Sequence, residues 1–136
     1  MNNEIPNPTR FTQVLILGNY IDIQWIPARL MTEAYGESDQ ESREIRLRDN
    51  LRGLQALDTA LHEMTHQISD LLKLDLTEAQ VHGLGLAWAN VFAANPNLTT
   101  FIEDRVEEER QRKAVDPRLW EMFGKITVNK EQGKKK

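Results

Sequence analysis

Cysteine is absent from the 136 residues. No disulfide framework or thiolate metal site is therefore available, and any bound metal must be held by nitrogen and oxygen. Long apolar runs are missing too. The first ten residues are polar and include Pro6 and Pro8, without the apolar centre of a secretory signal, and no later segment has the length of a membrane span. These absences point to a cytoplasmic protein without a membrane partner. Concentrated positive charge is also lacking. A formal net charge of -4, with Lys134, Lys135 and Lys136 as the one basic cluster, argues against a nucleic-acid partner. Histidine is scarce, with three against twenty-one acidic residues, so the positions of those three carry weight.

The length fits one compact domain. Residues 1–12 read as a flexible N-terminus, 13–125 as the domain and 126–136 as a basic solvated tail. Val14 to Leu17 is apolar, compatible with a strand or a short helix. Gly18-Asn19 then reads as a turn, and Tyr20 to Ile26 alternates as a strand that Pro27 ends. The polar stretch through Tyr35, Gly36, Glu37, Ser38 and Asp39 reads as a connecting loop. Glu44 to Arg48 alternates again, with Ile45 and Leu47 on one side and charges on the other, as in a half-exposed or edge strand.

Helical periodicity begins at Leu54. Leu57, Leu61, Met64, Ile68, Leu71 and Leu72 follow at spacings of three and four, predicting an amphipathic helix to about Leu74. Thr77 with Gln80 makes a capping box for a second helix that Asn95-Pro96 closes. A charge-rich third helix is predicted over about Phe101 to Val115, and Asp116-Pro117 opens a last short one bearing Trp120 and Phe123. The fold class is α+β: mainly helical, with a small N-terminal sheet packed on the first helix.

That first helix carries His62-Glu63-Met64-Thr65-His66. Residues four apart on a helix lie one above the other, so His62 and His66 project side by side and can share one metal ion, with Glu63 on the flank. In zinc hydrolases this arrangement lets the metal lower the pKa of a water while the glutamate takes its proton. A catalytic zinc needs a third protein ligand. The next helix offers Glu78 and His82, four residues apart, on a face continued by the small residues Gly85 and Ala89, which permit close helix approach. Asp58 and Asp70, one turn before His62 and one after His66, are candidates to accept the outer imidazole N–H groups. Tyr20, Tyr35 and His82 are the candidate donors to a developing oxyanion.

The run Leu61 to Ser69, followed by Leu76-Thr77-Glu78-Ala79-Gln80-Val81 and ended by Asn95-Pro96, resembles small phage-encoded metallopeptidase-like proteins related to the ImmA/IrrE peptidases, compact gluzincins. The resemblance spans about residues 20–96. It implies a zincin-like domain with Glu78 as third zinc ligand, Glu63 as general base and a protein or peptide substrate in the cytoplasm, that of a host if the chain is phage-encoded. It also implies that an edge strand before the motif helix pairs with extended substrate, a role that would fall to Glu44 to Arg48. Two other readings compete. One is a non-catalytic, zinc-stabilised protein-binding module on a peptidase scaffold; the other is a metal-free helical interaction protein. The sequence predicts no oligomeric state.

Overall fold

The computed structural model describes residues 10–115. Of the loose start expected over 1–12, residues 1–9 lie outside the described residues, as do the last short helix with Trp120 and Phe123 and the basic tail, while Phe11 O accepts from Trp25 Nε1 at 2.7 Å and Thr12 O from Ile23 N at 2.9 Å.

Four strands and three helices follow in order: β1 (Gln13–Ile16), β2 (Asn19–Ile26), β3 (Gly36–Asp39), β4 (Glu44–Arg48), α1 (Gly53–Leu72), α2 (Glu78–Ala94) and α3 (Pro96–Val115). This is the expected α+β arrangement, with the small sheet packed on the motif helix. The first apolar run is a strand. It joins β2 through Leu17 (φ 49°) and Gly18 (φ 80°), two left-handed residues whose twist suits a tight hairpin. Pro27 ends β2 as expected and leads into a 3₁₀ turn at Ala28–Leu30.

Two expectations are corrected. Gly36–Asp39 is a strand, antiparallel to β4, where the sequence suggested a loop. Its turn-like composition reflects packing: residues 36 and 38 face α1 at close range and must be small. The sheet order is β1-β2-β4-β3, so β4 is an inner strand, parallel to β2, and β3 is the edge on the β4 side, with β1 at the other edge. The charges of β4 belong to a solvated sheet face, where Arg46 pairs with Glu37 at 3.0 Å and Glu44 at 3.2 Å. A strand with one wet face alternates in the same way whether it is inner or outer.

The other sheet face makes the core. Ile21, Ile23, Ile45 and Leu47 are almost wholly buried, with Met64, Ile68 and Leu71 of α1 packed against them. Each such side chain contributes about 1.5–3 kcal/mol by leaving water. The α1–α2 connection is tightly tied. Lys73 adopts φ 54°, Leu74 N donates to Ser69 O at 2.9 Å and Leu76 N to the Ser69 hydroxyl at 3.1 Å, so the chain reverses without fraying. Pro96 both follows α2 and opens α3, which starts earlier than Phe101 because proline suits a first helical position. Surface pairs such as Arg105–Glu108 (2.7 Å) fit the solvated role expected of its charges. No helix among the described residues is long and apolar enough to cross a membrane.

Candidate metal centre

The helical repeat of α1 sets the two imidazoles beside one another, ring centroids 5.0 Å apart. Donor atoms of His62, Glu63 and His66 all lie within 4.8 Å of one another, a group that could hold a metal ion. Facing them is Glu78, the first residue of α2. Thr77 caps that helix: its hydroxyl accepts from Gln80 N at 3.1 Å, and its own N–H donates to the Gln80 side chain at 2.8 Å. Glu78 Oε1 lies 2.8 Å from His62 Nε2 and Oε2 lies 2.9 Å from His66 Nε2. The side chain is 70% exposed, and each of its carboxylate oxygens contacts one of the rings. Two imidazole nitrogens and a carboxylate thus converge from two helices as an N, N, O donor set that could hold a metal ion.

Close helix approach makes this meeting possible. A Cβ on Gly85 would lie 3.2 Å from His62 Cα and N, so the small face foreseen on α2 does turn to the motif. Trp88, on another side of α2, is half exposed. His82 is set further out. Its ring centroid is 6.1 Å from that of His62, and it lines the cleft beside the motif instead of meeting the Nε2 atoms.

Glu63 is buried, at 6% exposure, on the side of α1 turned to β3. Burial, then the charges of Glu78 and Glu37, push its carboxyl up to about 7. Gly36 makes room for it: a Cβ there would meet Thr59 Cγ2 at 2.8 Å and Glu63 Cγ at 3.0 Å.

The two aspartates behave differently from expectation. Asp70 pairs with Arg43 at 2.8 Å, and that guanidinium, not an imidazole N–H, takes its charge. Asp58 lines the cleft near His62, but its buried Oδ1 has no hydrogen-bond partner among the described residues. Of the candidate oxyanion donors, Tyr35 and His82 line the cleft with His62 and Glu63, and Tyr20 does not.

Sequence reasoning missed Gln67. Wholly buried, it donates to Ser38 Oγ at 2.8 Å and Asp39 O at 3.0 Å, and accepts from Arg43 Nη1 at 3.0 Å. It pins β3 to α1 one turn beyond Glu63. The signal was the four-residue spacing of Thr59, Glu63 and Gln67, a polar line that resembles a wet face and is in fact buried.

Comparison with protein-family models, curated proteins and solved structures finds no match for this chain.

Proposed function

We propose that this protein is a zinc-dependent metallopeptidase, of the kind implied by the resemblance to the ImmA/IrrE peptidases. The observation that carries the reading is Glu78 bridging the Nε2 atoms of His62 and His66, with the buried carboxyl of Glu63 beside them. His62, His66 and Glu78 would hold the ion, which when bound polarises a carbonyl and acidifies water. Glu63, buried beside the imidazoles, accepts a proton from the attacking water and returns it to the leaving amine. Tyr35, on the cleft rim, and His82 supply donors for the carbonyl oxygen. The edge of β3, unpaired among the described residues, receives the substrate as an added strand, a role that passes to it from β4 because β4 is paired on both sides.

The test is elemental analysis of wild type, Glu78→Ala and His82→Ala, together with peptide hydrolysis by Glu63→Gln. Zinc is expected at one per chain in wild type and His82→Ala, and to fall at least tenfold in Glu78→Ala. Glu63→Gln should retain zinc and lose hydrolysis. Zinc bound by a wild type that cuts no peptide would favour a zinc-stabilised binding module. A wild type that takes up no zinc would end both readings.

A further inference from the structure

Arg46 and Arg48 share the solvated face of β4, because side chains two residues apart on a strand point the same way. They are used differently. Arg46 pairs with Glu37 and Glu44, while Arg48 meets no carboxylate among the described residues. Its Nε donates to Met31 O at 2.6 Å and its Nη2 to Thr32 O at 3.0 Å. Its backbone N–H donates to Tyr35 O at 2.9 Å, and its Cζ lies over the Tyr35 ring, 4.8 Å from the centroid. One arginine at the end of an inner strand thus grips the segment 31–35 through carbonyls, backbone and ring at once.

Tyr35 closes that segment and lines the cleft with His62 and Glu63. Its neighbour Gly36 rests against Glu63, so the backbone here is set against the motif helix. The side chain is not fixed in the same way. It is 50% exposed, and among the described residues no hydrogen bond holds its hydroxyl. A half-exposed tyrosine can visit several staggered rotamers, yet a donor stabilises an oxyanion only from about 3 Å. A guanidinium lying on the ring restricts that freedom through cation–π attraction and leaves the O–H free to donate. The planar fork also explains why the residue is arginine: it can hold two carbonyls and cover a ring together, which an ammonium on a flexible stem cannot.

Resting on the peptidase reading above, we propose that Arg48 is a positioning residue for the reaction. It acts through Tyr35, holding the phenol at the cleft rim in the orientation from which its O–H donates to the carbonyl oxygen as charge develops there. Arg48 itself touches neither substrate nor metal.

The test is a double-mutant cycle on zinc-loaded protein, with the internally quenched peptide that wild type cuts fastest from a random pool. Tyr35→Phe should lower kcat about 100-fold. Arg48→Gln should lower kcat about tenfold and change KM less than about twofold. In the Tyr35→Phe background, Arg48→Gln should cost nothing further, because the hydroxyl it positions is gone. A merely structural arginine would lower both backgrounds alike. Equal losses in the two backgrounds, or an unchanged kcat in Arg48→Gln, would overturn the proposal. Fluorine NMR of fluorotyrosine-labelled protein reads the clamp directly. Tyr20 and Tyr35 are the tyrosines of the chain, and Tyr35→Phe assigns the lines. The Tyr35 line should move towards the free amino acid in Arg48→Gln, and an unmoved line overturns the clamp. If Arg48→Gln does not fold, Arg48→Lys replaces it in both measurements with the same expected signs. A wild type that cuts nothing ends the peptidase reading separately, and the fluorine line then decides whether Arg48 holds the ring.

Discussion

Gly36 and Glu63 stand so close that a Cβ on the glycine would lie 3.0 Å from Glu63 Cγ and 3.1 Å from its Oε2. The edge strand therefore rests directly on the motif helix. Gly36→Ala should destabilise the fold by about 1–3 kcal/mol, because Thr59 Cγ2, at 2.8 Å, belongs to a stiff β-branched side chain. Urea unfolding checks this. An unchanged midpoint would mean that β3 can lift off α1 without cost.

The two glycines near the middle of α2 should respond in opposite directions. Nothing lies within 4 Å of a Cβ at Gly83, so Gly83→Ala should stabilise by about 0.5–1 kcal/mol through helix propensity. Gly85→Ala meets His62 backbone atoms at 3.2 Å. It should lower stability and weaken zinc binding, as read by thermal melts and competition with a chromogenic chelator.

Gln67→Leu keeps approximate volume and removes three hydrogen bonds. Unpaired buried partners cost about 1–3 kcal/mol each, so a loss of about 3 kcal/mol is expected, together with faster amide exchange in β3. Exchange confined to α1 would argue that Gln67 serves its own helix instead of the strand.

In metal-free protein, Glu63 gives stability a definite pH slope. Its folded pKa of about 7 lies above the ordinary 4.5, so between these values the folded state holds a proton that the unfolded state releases. Stability from this group is complete below 4.5 and is lost as pH rises towards 7. Unfolding midpoints of wild type and Glu63→Gln, compared between about pH 5 and pH 8, should show the wild type falling relative to the variant. Zinc should reverse the trend, since a nearby cation favours the carboxylate.

The helices were legible because their signals are local. The apolar spacing from Leu54 to Leu72 and the Thr77–Gln80 box gave α1 and α2 within a few residues, and helical geometry alone paired His62 with His66. The structure brings Glu78 against both rings, while the sequence left it beside His82 until a family resemblance was added. What escaped depends on partners distant in sequence. Gly36-Glu37-Ser38-Asp39 has turn composition, and only β4 and α1 make it a strand. The edge assignment went to Glu44–Arg48 because alternation reports one wet face and says nothing of neighbours. Asp70 looked like a partner for His66 when only α1 was considered; Arg43, from the turn before β4, takes it instead.

The tied reversal from Lys73 to Thr77 has a consequence for assembly. His62, His66 and Glu78 all sit on one helical hairpin, so their encounter closes only a short loop and carries little chain entropy. Ligand capture by this hairpin does not have to await the parallel pairing of β2 with β4, which joins more distant segments. A cation held by these three residues would therefore clasp α1 to α2 without help from the sheet.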